Sequence, residues 1–304
     1  LYEKFTHQKK MPQDLVYDNK HLIMRQYMNG EMENLSRLFQ EIVRDYPFKK
    51  KIPLSRLKKT LTEFIACFPV YRTYMDQKGF NQTDGGLIEQ TILKAKKQSQ
   101  NLFKELNLLN DVLKEKKRKS LKKEKARQYL HFFMRLQQFT GPLMAKGFED
   151  TTLYVYNRLL SLNEVGGSPQ QFGTSMRHWQ AFNRLRQKQW PHSLNATATH
   201  DTKRGEDARA RINVLSEIPQ EWEDKISFWH QINQNKKIMV RRKKVPEKNE
   251  EYFLYQTLVG AFPFSGNVHQ EFIERIKNYM VKAGERPKFT PIGSTHISLM
   301  RMPF

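Results

Sequence analysis

The stretch Ser193-Leu-Asn-Ala-Thr-Ala-Thr-His-Asp-Thr-Lys-Arg-Gly-Glu-Asp-Ala-Arg-Ala-Arg211 decides how the rest of the chain is read. Small and β-branched residues over Leu194–Thr199 predict a short strand that stops at His200-Asp201. A charged turn follows, then a helix whose first turn carries Glu206 and Asp207, matching the positive end of the helix dipole. A charged pair at the carboxyl end of a small-residue strand is where α/β barrels carry their chemistry. Asp201 could hold negative charge beside a developing cation, with His200 donating to a ligand hydroxyl. The competing reading is a cap, in which Asp201 bonds the amides of the turn and starts the helix. Neighbours on a strand point to opposite faces, so the two are not expected to form an orienting dyad.

Upstream of this stretch, helical periodicity dominates. Leu22, Met28, Met32, Leu35, Leu38, Phe39 and Ile42 recur at helical spacing. A second helix is predicted over 54–66, where Leu54, Leu57, Leu61, Phe64 and Ile65 are apolar. Pro69 ends it, and Val70-Tyr-Arg-Thr-Tyr74 reads as a strand. The turn-rich 77–86 leads into two polar-faced helices over 87–109 and 112–138. Gly141-Pro142 and Gly147 break the periodicity, 153–162 is an apolar run, and 163–169 is a turn cluster. Residues 172–190 read as aromatic-rich loop and helix, with further helices over 206–216, 221–231, 253–261 and 271–281. The pattern is mostly α with a few parallel strands, around which a β/α rhythm is visible.

Composition supports a folded core: 304 residues, 38% hydrophobic and 12% aromatic, with 20 Phe. No run approaches the roughly 18 apolar residues of a membrane span, and no signal peptide opens the chain, so no membrane partner is expected and cytoplasm is the expected compartment. Cys67, the single cysteine, leaves no disulfide framework and no cysteine-based zinc site. The formal net charge of +22 is the anomaly. Its densest runs are Lys114–Arg127 and Lys236–Lys244. The first continues a helical pattern and has no interleaved aromatics for base stacking. It reads as a solvated helix face, the alternative being a basic helical module that binds nucleic acid or another polyanion. No nucleic-acid-binding signature accompanies either run.

Other charged residues have two readings each. Lys203 and Arg204 offer fixed donors for hydroxyls or simply face solvent. Lys146, Glu149 and Asp150 form a charged cluster, either functional or a structural ion pair. Trp179, Phe182 and Trp190 could stack on sugar rings or belong to a core. No phosphate loop, His-Glu-x-x-His pair or Cys-x-x-Cys is present.

Three segments carry a resemblance to a known family: Met144-Ala-Lys-Gly-Phe-Glu-Asp-Thr-Thr152, Tyr156-Asn-Arg-Leu-Leu-Ser-Leu-Asn-Glu-Val-Gly166 and Ala196–Arg211. They resemble the maltooligosyltrehalose synthases of the α-amylase superfamily. Val70–Tyr74, Leu215–Trp222 and Tyr255–Gly260 match as well, so the resemblance covers about 10–283. It implies intramolecular transglucosylation of a maltooligosaccharide, α-1,4 to α,α-1,1, by a retaining mechanism with an aspartate nucleophile and a glutamate acid/base. No cofactor and no metal are implied. The implied fold is a (β/α)8 barrel with helical insertions, Val70–Tyr74 being strand six and Leu194–Thr199 strand seven. Asp201 maps to the transition-state-stabilising aspartate, with His200 beside it. Lys203, Arg204, Lys146, Glu149, Asp150, Asn163 and Glu164 are expected to contact substrate.

The chain also departs from the family. The nucleophile and acid/base lie on strands four and five, upstream of anything here, and the chain starts at Leu1 rather than Met. It is therefore expected to be a fragment, inactive alone, with a partial barrel and a helical insertion domain. The expected divisions are helices leading into strand six (1–84), the insertion (85–150), strand seven with its helices (151–283) and an irregular tail (284–304). After Ala283 the family continues Val-Arg-Glu-Ala-Lys-Val-His-Thr, whereas this chain reads Gly284-Glu-Arg-Pro-Lys-Phe-Thr-Pro. Codons exist for this tail that restore the family pattern in the neighbouring frame, so the tail is expected to be out of frame.

Overall fold

The computed structural model describes residues 1–44, 52–76, 82–114, 123–240, 242–265 and 268–284. Residues 77–81, most of the Lys114–Arg127 run and the tail beyond Gly284 lie outside the described residues. The chain divides into two compact units, Gln13–Asp150 and Leu1–Pro12 with Thr151–Phe304.

The first unit is helical. It holds α2 (Pro12–Gln26), α3 (Asn29–Val43), α4 (Leu54–Cys67), α5 (Gln82–Gln98), α6 (Phe103–Lys114) and α7 (Lys123–Met144), after a short α1 (Tyr2–Thr6) that belongs to the other unit. The periodic residues face inward as predicted: Met32, Leu35, Phe39 and Ile42 of α3 and Leu57, Leu61, Phe64 and Ile65 of α4 are all buried. Phe39 stacks on Phe132 of α7, ring centroids 5.5 Å apart and planes 18° apart. One hydrophobic core runs from Ile23 to Leu143 with no break at 84/85. The pattern over 22–42 is split at Tyr27-Met28 into α2 and α3, and that over 87–109 is split at Ser99.

Val70–Tyr74 does not form a strand. No strand pairs with it among the described residues, and just after it a side chain binds the backbone of Met75. The amide of Gln137, on α7, accepts from Met75 N (2.7 Å) and from Thr73 Oγ1 (2.9 Å) and donates to Met75 O (3.1 Å). Gly141-Pro142 does not end α7 either: the helix passes through Pro142 and continues as a π-helical turn over Ala145–Thr152. Gly147 sits in that turn because a Cβ there would lie 2.9 Å from Lys20 Cγ and 3.3 Å from Lys20 N.

The second unit adds α8 (Leu153–Val155), α9 (Met176–Gln189), α10 (Glu206–Val214), α11 (Pro219–Ile232), α12 (Lys248–Ala261) and α13 (Gln270–Gly284). Its centre is α12, buried over Glu251–Thr257 and again at Gly260. Gly260 lets α10 close in, since a Cβ would meet Ile212 Cδ1 at 3.0 Å. A capping box starts α12, with Glu247 and Glu250 exchanging side-chain and backbone bonds. The basic run 236–244 contains the one sheet of the described residues: an antiparallel hairpin of β1 (Ile238–Val240) and β2 (Lys243–Val245), Ile238 opposite Val245. It is not parallel, and Leu194–Thr199 is not a strand. Period-two patterning makes an edge, but a strand forms only where another edge meets it.

Candidate functional site

The site is built on the irregular segment Tyr156–Glu164, which α12 holds with polar side chains. Gln256 accepts from Leu160 N (2.9 Å) and donates to Asn157 O (2.8 Å), and Asn249 donates to Val155 O (2.8 Å). Tyr2 reaches in from α1, donating to Asn249 Oδ1 (3.0 Å) and accepting from Asn157 N (3.2 Å). Asn163 is buried and staples the segment to itself, donating through Nδ2 to Leu153 O (2.9 Å) and Tyr156 O (2.6 Å). Its amide nitrogen is used in backbone contacts, while its buried Oδ1 has no hydrogen-bond partner among the described residues.

Glu164, next to it, reaches 39 residues along the chain. Its carboxylate accepts from Lys203 N (2.7 Å) and Arg204 N (3.4 Å), while Oε1 also accepts from Val165 N (2.9 Å). Arg204 closes the clamp, donating to Leu160 O (3.3 Å) and Tyr279 Oη (3.2 Å), with its guanidinium 5.7 Å from the Phe253 ring centroid. Lys203 Nζ lies 5.9 Å from the Tyr154 ring centroid. The charged turn after His200-Asp201 is therefore fixed at its far end.

His200 and Asp201 are the central residues of a β-turn. Thr202 N donates to Thr199 O (3.2 Å), and Thr199 N donates to Thr202 Oγ1 (2.6 Å). In a turn, adjacent side chains need not diverge. His200 Nδ1 stands 3.2 Å from Asp201 Oδ2, which corrects the expectation that the two cannot meet. The cap reading of Asp201 is also corrected: Gly205 is the N-cap of α10, with no side-chain capping bond. The side chains of His200 and Asp201 are 92% and 72% exposed. Behind them the Arg209 guanidinium donates to Thr197 O.

Lys146, Glu149 and Asp150 belong to the other unit. Lys146 pairs with Asp150 at 2.9 Å, one helical turn on, which is the structural reading of that pair. Glu149 is buried and accepts from the Tyr71 hydroxyl. Burial and the carboxylate both push the Tyr71 hydroxyl well above its ordinary range, so it stays a donor. Sequence reasoning missed this pair and the Glu164 clamp, because their partners are 78 and 39 residues away. Trp179, Phe182 and Trp190 are not core residues, as each is more than half exposed. Among the described residues, no group of three or more His, Cys, Asp or Glu is placed to hold a metal ion.

No protein-family model matches the chain. A putative maltooligosyl trehalose synthase of Mycobacterium tuberculosis is 39% identical over 150 residues, 49% of this chain. The chain resembles a segment of the maltooligosyltrehalose synthases. The solved maltooligosyltrehalose synthase of Arthrobacter ramosus superposes over 94% of this chain with a TM-score of 0.72 and 27% identity. The hypothetical maltooligosyl trehalose synthase of Sulfolobus tokodaii does so over 93% with 0.66 and 32%. The chain spans 18% of the M. tuberculosis synthase and 32% of each of the two solved synthases.

Proposed function

We propose that this chain is a portion of a maltooligosyltrehalose synthase and carries part of its active site. The observation that supports this most is the likeness to solved synthases over nearly the whole chain. In this reading the substrate is a maltooligosaccharide, and its reducing-end α-1,4 bond is rearranged to α,α-1,1 with net retention. Asp201 stabilises the oxocarbenium-like transition state, His200 donates to a sugar hydroxyl, and Lys203 lies towards the acceptor. Glu164 and Arg204 act through the backbone of the turn, a role that their bonds support better than substrate contact. Val70–Tyr74 and Leu194–Thr199 become barrel strands six and seven when neighbouring strands are present, with 85–150 as the insertion. The protein works in the cytoplasm without a cofactor.

Retaining transfer needs a nucleophile and an acid/base, and neither has a matching residue here. The chain alone is inactive in this reading. Incubation with maltopentaose tests it: the reducing end should persist, and a non-reducing product would refute the inactivity. The catalytic role is tested by placing 193–211 into the M. tuberculosis relative. Activity should survive the exchange, and Asp201→Asn should then lower kcat by about 10²–10³-fold. An Asp201→Asn enzyme of unchanged kcat would refute the assignment.

A further inference from the structure

We infer that Gln256 is a positioning residue: through Leu160 it sets where the His200-Asp201 turn stands relative to α12. Its effect on the reaction rests on the role proposed for Asp201, whereas its hold on the turn does not. Gln256 is fully buried within α12, so this chain's own residues complete its surroundings. Its amide uses an acceptor and a donor at once, taking Leu160 N–H (2.9 Å) and giving to Asn157 O (2.8 Å). Leu160 is buried as well, and its two backbone groups serve different elements. The N–H goes to Gln256, while the carbonyl accepts from Arg204 Nη1 at 3.3 Å. One residue thus joins α12 to the exit of the turn. Asn249 and Tyr2 hold Val155 O and Asn157 N, which lie further from that junction along the chain.

The same face of α12 seats the helix that follows the turn. Gly260 stands one helical turn after Gln256, and there α10 comes close: a Cβ would meet Ile212 Cδ1 at 3.0 Å and Ala208 O at 3.4 Å. α10 itself starts at Glu206, two residues after Arg204. Gln256 and Gly260 therefore give the turn's exit and the next helix a common base on one rigid element. A side-chain amide suits the place because it carries a donor and an acceptor together. Methionine keeps the bulk without either strong group, and an ionised glutamate keeps the acceptor but loses the donor. A misplacement of about 1 Å caused far from the chemistry costs up to about 10²-fold in rate. Loss of this anchor should therefore appear in kcat rather than in KM.

Two readouts test it. In the whole chain, Gln256→Met should speed amide exchange at Lys203 and Arg204 by at least about fivefold and leave the amides of α11 at their own rates. Unchanged rates at 203 and 204 overturn the inference. Equal acceleration in α11 also overturns it, because Gln256 would then serve the core alone. In the M. tuberculosis relative carrying residues 153–284 of this chain, Gln256→Met should lower kcat about tenfold or more and keep KM within about twofold. An unchanged kcat in an enzyme that Asp201→Asn slows overturns the inference. If Asp201→Asn leaves kcat unchanged as well, the catalytic reading fails, and the exchange rates alone decide whether Gln256 holds the turn. They decide likewise where the exchanged enzyme does not fold. If Gln256→Met does not fold, Gln256→Glu takes its place, with the same directions expected and a smaller change because the acceptor for Leu160 remains. If neither variant folds, the amide is a requirement of the core and the inference is overturned.

Discussion

Glu164, expected from the resemblance to contact substrate, holds the backbone of the turn. Its two oxygens take the amides of Lys203 and Arg204 at the exit of the His200-Asp201 turn. Glu164→Ala leaves those donors without an acceptor and should cost about 1–3 kcal/mol, read from urea unfolding. Glu164→Gln keeps one oxygen and should recover part of it, with faster amide exchange confined to 203 and 204. Lys20 makes a pH prediction at the same scale. It is buried and donates to Phe68 O at 2.5 Å, and burial lowers its ammonium to about 8 from 10.5. Between those values the unfolded chain binds more protons than the folded one, so stability rises with pH. The neighbouring Cys67 thiol is pushed up by burial to about 11 from 9.0, which makes stability fall as pH rises above 9. The Lys20 effect is therefore cleanest between pH 8 and 9. There the chain should gain stability relative to Lys20→Met, and a flat difference would refute it.

At the scale of elements, periodicity was legible and pairing was not. Leu57, Leu61, Phe64 and Ile65 announced α4 because helical bonds are local and the apolar face only needs somewhere to go. Val70–Tyr74 carried an equally good strand pattern, but a strand's bonds depend on a distant partner. Here the amide of Gln137 bonds the backbone of Met75, 62 residues away and just after that segment. Gln137→Leu removes the amide while keeping the bulk, and should cost about 2–4 kcal/mol through loss of its bonds to Met75 N–H and C=O and to the Thr73 hydroxyl. Urea unfolding would show it, and a cost below about 0.5 kcal/mol would mean that the clasp contributes little. The hairpin at 238–245 went unseen for the opposite reason: its lysines and arginines hid a short β-branched and aliphatic alternation under charge.

For the whole molecule, the tryptophans provide a test. Trp179, Trp190, Trp222 and Trp229 all fall in the unit that contains 151–304, and 13–150 has none. Tryptophan emission therefore follows one unit, while far-ultraviolet dichroism follows both. If each unit has its own core, Gln137→Leu should shift the dichroism midpoint and leave the emission midpoint in place. Coincident shifts would mean that the chain unfolds as one. The family resemblance was legible in the sequence, and two of the three matched segments, 156–166 and 196–211, contain the irregular segment and the turn that form the site. Among the described residues no partial barrel is formed, because closure is a property of strands meeting one another.

The exposure of the His200-Asp201 turn has an electrical consequence. Two unit charges 4 Å apart interact by about 1 kcal/mol in bulk water and about 4 kcal/mol at an effective dielectric constant of 20. Asp201, 72% exposed on its braced turn, sits near the first limit. The clamp behind it fixes where the charge stands, and the medium sets how far its field reaches. Covering the turn would strengthen that field severalfold with no movement of the residue itself.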